Sequence, residues 1–168
     1  MSTKIKQIVP HLWYDTQAVE AAKFYVSVFP GSKINYTKTL GSPHTPTGSF
    51  DIVSFELSGN AFMAISAGPI FKLNESVSFM LYCDTQEEID YYWEKLTAGG
   101  EEQPCGWCKD KFGLSWQIVY AEMDKIFQDD DVEKINSVLD VFLTMKKIDL
   151  AKIKNAMKET GLTFKENK

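Results

Sequence analysis

The chain has 168 residues, of which 44% are hydrophobic and 13% aromatic, enough to bury a sizeable core in one domain or in two half-domains that share it. A formal net charge of -5 and a pI of about 5.1 weigh against a nucleic-acid partner, because an acidic surface repels phosphate backbones. The longest wholly apolar run, Ala61 to Ile65, falls far short of the roughly 20 residues of a membrane span, and Met1 to Gln7 hold no apolar signal-peptide core. Three cysteines, an odd number, argue against a secreted disulfide framework. The expectation is a cytoplasmic protein with no membrane partner.

The first strand-like run is Ile8 to Tyr14. Asp15-Thr16-Gln17 follows, with side chains able to cap a helix. Apolar residues at 18, 21, 22, 25 and 28 then keep helical spacing until Pro30-Gly31, so a helix is expected from Gln17 to Val28. Two stretches rich in β-formers come next, Lys33 to Leu40 and Phe50 to Ser58. Between them the Gly/Ser/Thr/Pro-rich segment 41–49 reads as a long mobile loop and a candidate lid. A third run, Asn60 to Ile65, follows the turn glycine Gly59.

The same succession then repeats. Asp84-Thr85-Gln86 matches Asp15-Thr16-Gln17 at an offset of 69 residues, which also pairs Phe24 with Trp93 and Gly31 with Gly100. A strand-like run, Val77 to Cys83, precedes it. A helix is expected from Gln86 to Ala98, with Thr85 and Glu88 spaced as a capping box and Gly99-Gly100 as its stop. Strands fall near Glu101 to Cys108 and Leu114 to Tyr120. Gly113 to Val119 resembles Gly59 to Ile65 at the shorter offset of 54, which places 15 extra residues in the first copy, assigned to segment 41–49. Each copy thus reads as a βαβββ module. The organisation is module one over 1–66, a linker over 67–75, module two over 76–121 and a helical tail over 122–168. In the tail, Asp129-Asp130-Asp131 can cap one helix with apolar positions from 132 to 145, and a second helix should run from Leu150 to Glu159, before Gly161. The tail packs on the module core or across a dimer partner.

Particular residues carry a resemblance. The runs Pro10-His11-Leu12-Trp13-Tyr14-Asp15, Glu20-Ala21-Ala22-Lys23-Phe24-Tyr25 and Phe29-Pro30-Gly31-Ser32 resemble the opening of PhnB-like proteins. Cys105-Gly106-Trp107, Lys109-Asp110-Lys111-Phe112-Gly113-Leu114-Ser115-Trp116-Gln117-Ile118 and Met145-Lys146-Lys147-Ile148-Asp149 resemble their closing hairpin and tail. These proteins often carry the label 3-demethylubiquinone-9 3-methyltransferase and are a branch of the vicinal-oxygen-chelate (glyoxalase, bleomycin-resistance and dioxygenase) superfamily. The resemblance implies an α+β fold of two βαβββ modules forming a curved open barrel, a homodimer, and a small-molecule ligand inside the barrel.

Metal-dependent members of that superfamily hold a divalent ion with one side chain from the first and one from the last strand of each module. The pattern falls here on Ile8, Val77, Met63 and Gln117, and only Gln117 offers an oxygen, so no metal cofactor is expected. Strand alternation started from Ile8 turns Pro10, Leu12 and Tyr14 toward the cavity, with Val77, Phe79, Leu81 and Cys83 as their counterparts and Met63, Ile65, Ser115, Gln117 and Val119 completing the lining. Tyr14, Met63, Ile65, Phe79, Leu81 and Gln117, with Trp107 at the mouth, are therefore the candidate ligand-binding residues. Each has a plainer role as barrel core. The catalytic residues are unassigned. The same alternation turns His11 toward the helix, where a buried structural histidine is expected; His44 sits in the long loop.

Three other chemistries bear on particular residues. Cys105-Gly106-Trp107-Cys108 is a C-x-x-C, but a redox motif of that kind opens a helix, and Lys109 to Gly113 reads as a hairpin turn instead. A metal-dependent lyase, isomerase or dioxygenase would need ligands outside the pattern above. A methyltransferase of the Rossmann kind needs a glycine-rich strand-to-helix turn, whereas the turns here are Tyr14-Asp15-Thr16 and Cys83-Asp84-Thr85.

Overall fold

The structure, a computed structural model, describes residues 7–45 and 48–162. The chain divides into two compact units, one ending at Leu73 and the other beginning at Asn74. Among the described residues no helix is long and apolar enough to cross a membrane.

The first unit is a βαβββ module: β1 (His11–Tyr14), α1 (Ala18–Val28), β2 (Lys33–Gly41), β3 (Ser49–Leu57) and β4 (Asn60–Ser66). Its strands form one mixed sheet in the order β1-β4-β3-β2, with β1 parallel to β4 and the other pairs antiparallel. The helix buries Ala18, Ala21, Ala22, Tyr25 and Val28, the stripe that the spacing predicts. Its start differs from expectation. Neither Asp15 nor Thr16 caps it; the free N–H of Ala18 donates to Ser66 Oγ at 2.9 Å, so the cap comes from the end of β4.

The expected long loop is also different. β2 and β3 are nine residues each and pair from Lys33↔Glu56 out to Gly41↔Ser49, and Ser42 N donates to Gly48 O. The residues inserted relative to the second copy lengthen a hairpin, because Thr39, Leu40, Phe50 and Asp51 continue the alternation and Thr39 donates to Asp51 across it. Pro46 and Thr47 lie outside the described residues.

The second unit repeats the module with β5 (Ser78–Cys83), α2 (Gln86–Thr97), β6 (Glu101–Glu102), β7 (Trp107–Lys109) and β8 (Ser115–Tyr120) in the order β5-β8-β7-β6. Neither sheet closes on itself. The capping box at Thr85 and Glu88 is present in full. The single strand expected over 101–108 is broken by a turn at Pro104 to Trp107, where Trp107 N donates to Pro104 O and φ is positive at both central residues, Cys105 (62°) and Gly106 (77°). That is the primed turn geometry that suits the twist of a tight hairpin.

Three helices follow: α3 (Met123–Phe127), α4 (Val132–Leu143) and α5 (Leu150–Thr160). Asp131 and Asp149 each accept two backbone N–H bonds as caps, and Gly161 ends α5 in the left-handed region at φ 67°. The tail packs on its own module. Cys105 N and Gly106 N donate to Met145 O and Lys146 O, both at 2.7 Å. The Gln86 side chain bridges the α5 start, donating to Ile148 O and accepting from Leu150 N. At Gly106 a Cβ would stand 2.4 Å from Ile118 O and 3.2 Å from the Ile148 side chain, so only glycine admits this approach.

Candidate functional site

In each module one sheet face packs on the helix and the other faces away from it. In the first unit the helix face carries Leu12, Tyr14, Val53, Phe55 and Ala64, all buried, and Tyr14 Oη lies 3.0 Å from Tyr25 Oη of α1. The far face is built in cross-strand rows. His11, Met63, Ser54 and Tyr36 form one row; Trp13, Ile65, Ile52 and Lys38 form the next. Trp13 donates its indole N–H to Gly68 O at 2.8 Å and meets Phe71 edge to face.

In the second unit the helix face carries Phe79, Leu81 and Cys83 of β5 with Trp116 and Ile118 of β8, and the Phe79 and Trp116 rings are 5.7 Å apart. On the far face the first row is Glu101, Lys109, Ser115 and Ser78, and the second is Trp107, Gln117 and Met80. Gln117 Nε2 donates to Ser78 Oγ at 2.7 Å, and its carbonyl oxygen accepts no hydrogen bond among the described residues. Ser115 is fully buried, and its hydroxyl has no hydrogen-bond partner among the described residues. A buried polar atom without a partner costs free energy unless something else supplies one.

A cleft of about 540 Å³ opens beside this face, lined by Glu75, Glu101, Gln103, Pro104, Cys105 and Trp107. Lys109 reaches from the first row to an ion pair with Glu75, and Gln103 donates to the same carboxylate. The Lys109 contact, foremost, holds the Glu75 carboxyl below the usual range, and the Glu75 bond holds the Lys109 ammonium above its own.

The sequence-predicted residues therefore divide. Trp107 and Gln117 are cross-strand partners on the far face of module two, and Met63 and Ile65 share the far face of module one. Tyr14, Phe79 and Leu81 stand on the helix faces instead. The alternation was started from Ile8, and the true register turns Leu12 and Tyr14 inward to α1; in module two it turns Phe79, Leu81 and Cys83 toward α2. The correction runs the other way for His11, which is exposed on the far face beside Met63. Ser115, which the alternation also turns toward the cavity, stands on the far face with Gln117, whereas Ser78 was missed, because the alternation counted from Val77 put it on the opposite face.

The remaining thiol and metal chemistry can be read from the same geometry. Burial, foremost, pushes the Cys108 thiol up to about 12, with the Asp110 and Glu102 charges adding to it, and Cys83 is raised likewise to about 12. That is opposite to the depressed pKa of a redox-active thiol, and no helix begins at Cys105 to stabilise a thiolate. Among the described residues no three His, Cys, Asp or Glu side chains cluster closely enough to hold a metal ion.

Residues 6–119 match the profile of the family described as 3-demethylubiquinone-9 3-methyltransferase. The PhnB protein from Bacillus cereus is 29% identical, with 69% of this chain and 100% of that one covered at a TM-score of 0.62. A protein of known structure from Pseudomonas aeruginosa is 21% identical over 68% of this chain and 96% of its own, at 0.53. The fosfomycin resistance protein FosX from Listeria monocytogenes shares the fold at 15% identity, 74% and 97% coverage and a TM-score of 0.52. No protein with a curated description matches the sequence significantly. The chain belongs to the family described as 3-demethylubiquinone-9 3-methyltransferase, the PhnB-like branch of the vicinal-oxygen-chelate superfamily.

Proposed function

We propose that this protein binds a small organic molecule on the far face of its second module, over Trp107 and Gln117, without a resident metal ion. The observation that carries the reading is the polar group Ser78, Ser115 and Gln117. It offers a spare carbonyl oxygen and an unpartnered buried hydroxyl beside an indole ring and a cleft. A few convergent polar atoms beside an aromatic ring and a concave surface are a common make-up of a small-molecule site. The described residues bring no three His, Cys, Asp or Glu side chains together, which supports the metal-free part.

Methyl transfer from S-adenosylmethionine finds little support in these residues. The strand-to-helix turns carry Asp15-Thr16 and Asp84-Thr85 without glycine, and each sheet has only its first strand parallel to a neighbour. The reading keeps the cytoplasmic location, in line with three free thiols, and a homodimer, which light scattering on the purified protein tests.

A fragment library screened by NMR tests the site directly, with the Gln117 side-chain amide and the Trp107 indole N–H as reporters. Hits are expected to move both signals and to lose affinity about tenfold in Gln117→Leu. Hits that move neither signal would remove the site. Elemental analysis that finds one Mn, Fe, Ni or Zn per chain would remove the metal-free part.

A further inference from the structure

We infer that the cleft beside Trp107 selects ligands carrying a primary ammonium group on an apolar body; the inference rests on the reading of this face as a ligand site.

Two carboxylates, Glu75 and Glu101, line the cleft. The cation nearest to them, Lys109, does not line it and is committed to Glu75. Glu75, Glu101 and Lys109 together leave an excess of one carboxylate, and an anionic ligand would meet net repulsion there. Trp107 supplies an indole ring, half-buried and fixed in the row with Gln117. An ammonium over an indole face gains from the ring quadrupole, and its N–H groups need acceptors. The Glu101 carboxylate and the Gln103 side-chain carbonyl are such acceptors on the cleft wall. Glu101 stands in the same cross-strand row as Lys109 and Ser115, so the unpartnered Ser115 hydroxyl belongs to the strand positions that frame this end of the face.

The shape of the wall is fixed from outside the cleft. Cys105 and Gly106 are held in their turn by Met145 O and Lys146 O, which sets where Trp107 leaves the turn. A preformed wall of this kind lowers the ordering cost of binding.

Three probes with one body and different charge test the class: benzylamine, benzyl alcohol and benzoate, each titrated into uniformly ¹⁵N-labelled full-length protein. Benzylamine is expected to shift the Trp107 indole N–H and to bind about fivefold tighter than the alcohol, with benzoate weakest. Glu101→Gln, at an exposed position that keeps the fold by circular dichroism, is expected to weaken benzylamine about threefold and leave the alcohol unchanged. If the alcohol or benzoate binds at Trp107 as tightly as the amine, the cationic class is overturned while the ligand face stands. If benzylamine shifts nothing at Trp107, the class is overturned as well, and the fragment screen above decides the fate of the face on its own.

Discussion

The indole nitrogen of Trp116 donates to the carboxylate of Asp110 at 2.9 Å, and both side chains are buried. The other oxygen of Asp110 accepts from Phe112 N at 2.8 Å and Leu114 N at 3.1 Å. One carboxylate thus closes the turn between β7 and β8 and pins the largest core side chain of the second module. The stretch Lys109 to Gln117 owes much of its pattern to this turn.

Asp110→Ala should therefore be among the most damaging single changes. It strands three donors in a buried setting, and each costs about 1–3 kcal/mol. Urea denaturation is expected to show a loss of about 3 kcal/mol or more, without a change in the susceptibility of other parts of the fold to proteolysis. A loss below about 1 kcal/mol would mean that the turn is held by something else.

Gly106→Ala should cost about 3 kcal/mol, because the new Cβ meets Ile118 O at 2.4 Å in a backbone of φ 77°. Gly100→Ala should do the same, since a Cβ there would stand 2.0 Å from Lys109 O. By contrast, Gly59→Ala meets no atom within 4 Å and pays only for its φ of 81°, about 1 kcal/mol. Thermal melts of the three variants rank the two effects, close approach against backbone strain.

How much of this was legible in the sequence depends on how local the determinant is. α2, α4 and α5 could be read because Thr85 with Glu88, Asp131 and Asp149 cap their own next turns. The α1 cap could not, because Ser66 lies far along the chain from Ala18. The face of β1 was misread for a physical reason: alternation has a period of two, so a start at the wrong residue inverts every assignment after it. Leu12 and Tyr14 then trade places with His11 and Trp13. The break between β6 and β7 was hidden because Cys105 adopts a positive φ that its residue type does not advertise.

Gln86→Ala should loosen the start of α5. Its amide both donates to Ile148 O and accepts from Leu150 N, so truncation leaves two backbone groups to find water. Hydrogen exchange at Leu150 and Ile153 is expected to speed up by about tenfold, the equivalent of 1–2 kcal/mol, while β8 amides keep their protection. Equal acceleration in β8 would show that the tail and sheet open together.

Alkaline pH should destabilise the fold through Cys83 and Cys108. Both thiols are raised to about 12 from a reference of 9.0, chiefly by burial. Above pH 9 the unfolded chain releases these protons and the folded chain keeps them, so stability falls as pH rises from about 9 to 12. Each thiol contributes a slope of up to about 1.4 kcal/mol per pH unit. The double variant Cys83→Ala, Cys108→Ala should flatten that decline relative to the parent, whatever its stability at neutral pH. An unchanged slope in urea titrations across this range would show that the thiols are not its source.

The bonds from Cys105 and Gly106 to Met145 and Lys146 have a consequence for biosynthesis. A nascent chain can complete the whole first module, and even thread β8 into place, while the acceptors for these two amides are still inside the ribosome. Until they emerge, the turn that carries Trp107 has two donors facing water, and the pocket wall is unfinished. Termination between Ala121 and Lys146 would then release a product that holds every strand of both sheets but leaves the Trp107 turn without its two acceptors, a slackening that hydrogen exchange at Cys105 and Gly106 detects.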